Sequence, residues 1–412
     1  MMKVKITAVM VALGLLLSSC GVPREDVNGE VTTLTLACWI KDYPLSYCVE
    51  QFNHNNKKYQ IEIHEYYDET DDNYTAAMTR MKLDLISNDS WDLIYLDSMD
   101  IFALENAGVL MDLLPLMEQD EKFQKEDYEW HIWEQYIRNG KLYEWIPAFE
   151  LTGVIGPSKW ISAFDSWNIE AYLSFVDVAG QGIGSIQPET MLGYMLQYTN
   201  SAVIDTDSCT CRFDSQDFLT WMNFAKRFEA DDGSLWIYWV RGFGDYLSWQ
   251  MRFNDTVSLV NIPTTSPTSL CASAHFSFGM SSRTRYSSAC WRFLNQLMDD
   301  EVLSETTLGV EYVGFPMKKS ILSEQLELAQ LPESNPASLI YHWGEDAIPL
   351  GEDEAQRLEK QIATIRCVEK RISAAIHIVS EESTSFFCGD KTCDETAKLI
   401  QNRVSIYLSE QQ

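Results

Sequence analysis

Thr33-Leu34-Thr35-Leu36-Ala37-Cys38 and Tyr59-Gln60-Ile61-Glu62-Ile63-His64 alternate in character from one residue to the next. That is the two-residue period of a strand. Between them Leu45, Cys48, Val49 and Phe52 fall at i, i+3, i+4 and i+7, one buried stripe of a helix. Ala77, Met78, Met81 and Leu85 repeat the helical spacing, and Leu93-Ile94-Tyr95-Leu96 is a short apolar run suited to a buried strand. The order is β-α-β-α-β. Such alternation predicts a largely parallel sheet covered by helices, with ligands bound beyond the carboxyl ends of its strands.

The same two periods return downstream. The run His275 to Met280 precedes a helical stripe of Cys290, Phe293, Leu294, Leu297 and Met298. A last helix carries Ala397, Ile400, Val404 and Tyr407 on one face, and Thr392 with Glu395 has the spacing of a capping box. No internal repeat, low-complexity tract or long linker interrupts the chain.

Upstream, Lys3 and Lys5 precede the apolar run Ile6 to Leu17, and Leu17-Ser18-Ser19-Cys20 follows with small residues before the cysteine. This is the pattern of an export signal over residues 1–19. The apolar run is shorter than the roughly 20 residues a permanent membrane helix needs, and no later segment is apolar enough to span. The ending Leu-Ser-Ser-Cys resembles the lipobox of bacterial lipoproteins, which implies that Cys20 is lipidated and that the chain sits on the outer face of the cytoplasmic membrane. An ordinary export signal with a nearby cysteine is the alternative. Residues 20–30 hold Pro, Asn, Gly and charges without an apolar period and read as a tether.

A chain of 412 residues with 46% apolar content, 12 Pro and 20 Gly is neither disordered nor fibrous. Single cores stop growing at about 250 to 300 residues, so two lobes are expected. The 61 acidic residues against 31 basic ones give a formal charge of -30. That field repels phosphate backbones, and nucleic acid is excluded as a partner.

Ten cysteines in an exported chain make disulfides possible. Cys38 with Cys48, Cys271 with Cys290, and Cys388 with Cys393 are near enough in sequence to pair, though spacing alone does not give connectivity. Cys209-Thr210-Cys211 and the Cys388, Cys393 pair lack the spacing of a zinc site. No metal or cofactor is expected.

Catalytic motifs are mostly absent. Gly180-Gln181-Gly182-Ile183-Gly184-Ser185 has serine where a dinucleotide loop needs its third glycine and no clear strand before it. His64-Glu65-Tyr66-Tyr67-Asp68 is one ligand short of the HExxH zinc helix and ends a strand pattern. There is no GxSxG elbow and no Walker A loop. With 61 acids a chance carboxylate pair is nearly guaranteed, so a glycosidase pair carries little weight. The 13 Trp, 19 Tyr and 18 Phe say more. Most pack a core, yet aromatic faces also stack on sugar rings while carboxylates and amides bond the hydroxyls, and a neutral ligand escapes the acidic field.

Three features then combine: the Leu93 to Leu96 strand, the segment Ala103-Leu104-Glu105-Asn106-Ala107-Gly108-Val109-Leu110-Met111-Asp112-Leu113, and Asn139-Gly140-Lys141-Leu142-Tyr143 before Ile146-Pro147. Phe278-Gly279-Met280-Ser281-Ser282, Val313-Gly314-Phe315-Pro316-Met317-Lys318-Lys319 and the helix from Glu395 follow in order. Together they resemble the family 1 extracellular solute-binding proteins of ABC importers over nearly the whole mature chain. The aromatic stretch Trp236 to Trp249 departs from the pattern.

The resemblance implies a monomeric, two-lobed periplasmic-binding-protein-like fold of the second type, with a hinge and a ligand cleft between lobes. One lobe would hold residues 31–147 plus 274–315, the other 148–273 plus 316–412. It implies capture of a small solute, a carbohydrate or oligosaccharide before others, and delivery to ABC permease subunits without covalent chemistry. A lipid-anchored glycan hydrolase and a binder of peptides or other solutes are the alternatives.

For the cleft, Trp39, Lys41 and Asp42 follow the first strand and Asp97 and Asp100 follow the Leu93 to Leu96 strand, at the carboxyl edge. By the resemblance both loops line the cleft, and Glu150 matches a position where sugar-binding members place a carboxylate. Trp239, Phe243 and Tyr246, spaced four and three apart, share one face if their segment is helical. That face is either a ligand platform or a buried stripe.

Overall fold

In the computed structural model the described residues are 31–410, apart from 68–72, 88–89, 98, 165, 181, 185, 201, 229–232, 267, 309–312 and 332–347. The export segment, Cys20 and the tether to Glu30 lie outside them, as do Gln181 and Ser185.

The opening alternation builds the first sheet. Strands β1 (Thr32–Cys38), β2 (Tyr59–Glu65) and β3 (Leu93–Tyr95) are joined through helices α1 (Tyr43–Asn55) and α2 (Tyr74–Ser87), and a short helix α3 (Ile101–Asn106) follows. Strand β1 runs parallel to both neighbours, with Leu36 opposite Ile63 and Leu93. Its two faces enter different clusters: Leu34, Leu36 and Cys38 join the largest core, and Ala37 joins a smaller one with Met81, Leu85, Ile94 and Leu96. Covering both faces with helices explains why β3 is apolar at every position.

Strand β4 (Ala148–Pro157) is the spine of the second sheet and is buried along its whole length. After the small hairpin β5 (Ile204–Asp205) and β6 (Thr210–Cys211), strand β7 (Trp236–Val240) pairs with one edge of β4, and β8 (Val257–Val260) and β9 (Cys271–Ser273) pair with the other. Strand β10 (Phe278–Met280) returns to the first sheet, antiparallel to β3. Strands β11 (Phe315–Pro316) and β12 (Cys367–Val368) then join the second sheet beside β4 and β9.

Three passages between sheets therefore lie side by side. Trp145 bridges Phe278, Glu150 stands opposite Ser273, and Ala148 stands opposite Pro316. Gly314, at φ +150°, makes the turn into β11. A Cβ there would sit 2.6 Å from the Phe149 carbonyl oxygen, so a side chain meets both a strained backbone and a wall.

The predicted helices around Leu45, Ala77, Cys290 and Ala397 are present, and Thr392 and Glu395 form both bonds of the capping box. The aromatic stretch differs from a single helix. Trp236-Ile237-Tyr238-Trp239-Val240 is a strand, Arg241 and Gly242 turn, and a helix runs Phe243–Phe253. Its β-branched and aromatic residues fit a pleated surface, and Gly242 at φ 153° breaks the path.

All nine described cysteines are thiols. Cys271 and Cys290, close in sequence, occupy different cores. No described helix is long and apolar enough to cross a membrane.

Candidate functional site

Trp39 leaves the carboxyl end of β1 and is only half-buried. Its ring stacks on Tyr67 at 5.4 Å and meets Tyr74 edge-on at 4.4 Å. Tyr74 is 49% exposed, and burial together with the Asp97 charge raises its hydroxyl pKa. Trp39, Tyr67, Tyr74 and Asp97 thus form one aromatic and acidic edge.

The other predicted residues of this edge are held by their own neighbourhoods. Asp42 caps α1 by accepting the Leu45 N–H at 2.8 Å, and its other oxygen accepts the Tyr95 hydroxyl at 2.9 Å. Lys41 is exposed and donates its backbone N–H to Glu65 Oε1 at 2.8 Å. Asp100 caps α3 and also accepts from Ser373 Oγ at 3.2 Å and Ala374 N at 3.3 Å, at the start of the helix Ser373–Phe387. It joins the loop after β3 to that helix.

Glu150 lies on β4 with 4% exposure and accepts from His275 Nδ1 at 2.8 Å. The other imidazole nitrogen is 3.8 Å from Glu369 Oε2. Burial lowers the His275 pKa, but the Glu150 bond and the charges of Glu150 and Glu369 outweigh it and raise the value to about 9. The imidazolium is hydrogen-bonded to Glu150 through Nδ1, while its Nε2 stands in charge contact with Glu369. Glu369, just after β12, also accepts from Gln197 Nε2 at 2.6 Å and from the Tyr198 hydroxyl at 3.5 Å.

Two residues on, Arg371 is 6% exposed and bonds the Glu144 carboxylate at 3.0 Å, Ala274 O at 3.1 Å, Ser277 Oγ at 3.1 Å and the Leu96 carbonyl. Burial opposes its charge, but Glu144, Glu369 and Asp97 more than offset that and raise its pKa. Arg371 therefore ties the segment after β12 to the end of β3.

Trp239 on β7 is half-buried and packs against a second large core that holds Val154, Leu196, Val260 and Cys271. Its ring meets Tyr194 at 5.4 Å and Tyr198 at 5.8 Å, both nearly perpendicular. Phe243 and Tyr246 are elsewhere. Phe243 is 2% exposed against Phe315, and Tyr246 is 1% exposed with its hydroxyl donated to Val257 O at 2.8 Å. They are core residues, separated from Trp239 by the turn at Gly242.

Of the predicted residues, the structure links Trp39, Asp97, Glu150 and Trp239 through one run of ring contacts, hydrogen bonds and charge interactions. It passes from Tyr67, Trp39 and Tyr74 through Asp97, Arg371 and Glu369 to Tyr198, Trp239 and Tyr194, with His275 and Glu150 on the flank. Sequence reasoning missed His275, Glu369, Arg371, Tyr194 and Tyr198. A dispersed histidine and two residues of a late loop carry no local pattern, and only sheet pairing brings them together, while Tyr194 and Tyr198 come from the helix Pro188–Gln197 and its C-cap. Chemically the run offers ring faces, acceptors and fixed cations.

Scans of family models and of curated proteins give no match. The fold itself is known. An ABC substrate-binding protein from Listeria monocytogenes in complex with cycloalternan superposes with TM-score 0.62 at 13% identity, covering 92% of this chain and 100% of that one. A putative oligosaccharide periplasmic-binding protein from Synechococcus sp. MITs9220 gives 0.63 at 12%, over 92% and 99%. The sugar-binding protein MalE from Xanthomonas citri gives 0.61 at 11%, over 92% and 98%. The chain has their two-lobed periplasmic-binding-protein-like fold.

Proposed function

We propose that the protein is a family 1 extracellular solute-binding protein that captures a carbohydrate or oligosaccharide between its lobes and delivers it to an ABC permease. The observation that carries this reading is the aromatic cluster at Trp39 and the one at Trp239, with the mutually interacting charges of Asp97, Arg371 and Glu369 between them. Sugar rings present apolar faces and many hydroxyls, and rings plus carboxylates answer both. The sugar ligands of proteins with this fold agree.

Residues 31–147 plus 274–315 would form one lobe and 148–273 plus 316–412 the other, divided at the three adjacent passages. A ligand touching both lobes binds the closed form better than the open one and shifts the population toward it. Cys20 would hold the protein at the outer face of the membrane through its lipid, and no covalent step is needed.

The test is calorimetry and tryptophan fluorescence with a glycan panel, together with product analysis. Saturable one-to-one binding without turnover is expected. Released products would make the protein a hydrolase, and binding confined to peptides would make the solute class wrong.

A further inference from the structure

We infer that Cys271 and Cys367 are joined by a disulfide in the exported protein. They are register partners on the parallel strands β9 and β12. Neighbouring strands lie about 4.8 Å apart, inside the Cα separation of about 4.4 to 6.8 Å that a disulfide spans. Register partners in a parallel pair project to the same face, and both cysteines enter the second core, 1% and 0% exposed. Burial first, and then the neighbouring Cys367 thiol, raises the pKa of Cys271. Among the described strands no other two cysteines are register partners.

The other cysteines have different surroundings. Cys290 lies against the Asp92 carbonyl in the first core, and Cys393 lies against Leu219 O and Met222. Neither reaches Cys271 by its place in the fold.

The bond forms by exchange with a disulfide-bearing oxidant. Each thiol gives up its proton, the two sulfurs join, and the electron pair reduces the oxidant's S–S bond to two thiols. Burial also raises the Cys271 thiol pKa, so the folded pair is a poor nucleophile and oxidation belongs to folding, before β12 docks. The link would staple the strand leading to His275 to the strand leading to Glu369 and Arg371, fixing both sources of the buried network.

The inference rests on the export pattern of residues 1–20 and not on the solute. Recovery of the chain from the exported fraction checks that reading separately. The test takes the full chain made with its leader in an exporting host, denatures it without reductant, alkylates it with iodoacetamide and maps the peptides. Cys271 and Cys367 should escape alkylation and appear in one linked peptide pair that separates on reduction. In Cys367→Ala, Cys271 should become alkylated. Full alkylation of both cysteines in the exported wild type, or linkage of either to another cysteine, overturns the inference.

Discussion

The two ends of the candidate site are held in opposite ways. At the first-sheet edge, Asp42 and Asp100 bond backbone groups three residues away, and these caps set the loops that carry Trp39 and Asp97. At the second sheet, Glu150 meets His275 across 125 residues, and Arg371 meets Glu144 across 227 and Leu96 across 275. The caps of the first arrangement form within short segments, and Asp42 and Asp100 use their second oxygens for Tyr95 and for the start of the Ser373–Phe387 helix. The second exists only when the whole chain has folded, so it couples the site to global stability.

The contrast predicts unequal mutational costs. Arg371→Met removes the nearer cation of the Glu144 carboxylate, which is 2% exposed and keeps only Arg138 at 3.7 Å. Removing one partner of a buried ion pair costs about 3–5 kcal/mol. Asp42→Ala removes a helix cap, worth about 1 kcal/mol, together with the acceptor of the Tyr95 hydroxyl, worth about 0.5–1.5 kcal/mol. Urea unfolding of the two variants measures both. Equal losses would erase the distinction between local and long-range support.

A smaller effect separates Trp239 from its sequence neighbours. If Trp239 is a stacking platform, Trp239→Ala weakens ligand binding by about 1–3 kcal/mol, as aromatic platforms do for nucleic-acid bases. Tyr246→Phe should leave affinity intact and lose about 0.5–1.5 kcal/mol of stability with its bond to Val257 O. Calorimetry and thermal melting on both variants decide it. A large stability loss in Trp239→Ala with near-normal affinity would move Trp239 into the core beside Tyr246.

The same division sets what could be read from the residues. Strand and helix periods make most of the first sheet legible, because Leu34, Leu36 and Ile61 bury according to local alternation and Ile94 lies in a short apolar run. Trp39 and Asp97 followed as the residues just past those strands. The capping box at Thr392 was equally legible. Trp239, Phe243 and Tyr246 were not, since a helical spacing of four and three also fits a strand, a glycine turn and a helix. His275 and Glu369 were invisible because β9 and β12 pair across nearly a hundred residues, and no spacing records that register.

The smallest expected effect is a pH dependence confined to the second region. His275 has its pKa raised from an ordinary 6.5 to about 9 by Glu150 and Glu369, against its burial. A group whose folded pKa is raised gives its full stabilisation below the unfolded value and loses it as pH rises through the folded one. The His275 contribution is therefore complete below about pH 6.5 and gone above about pH 9. The side chain is 34% exposed, so solvent screening keeps the effect modest. Because 61 acidic residues add their own pH dependence, the informative quantity is the difference between wild type and His275→Gln, followed by thermal melting across that range. The wild type should be the more stable at the acid end, with the gap closing as pH rises through about 9. A gap that stays constant with pH would mean that His275 is held by packing alone and that the Glu150 and Glu369 carboxylates do not share a proton-bearing partner.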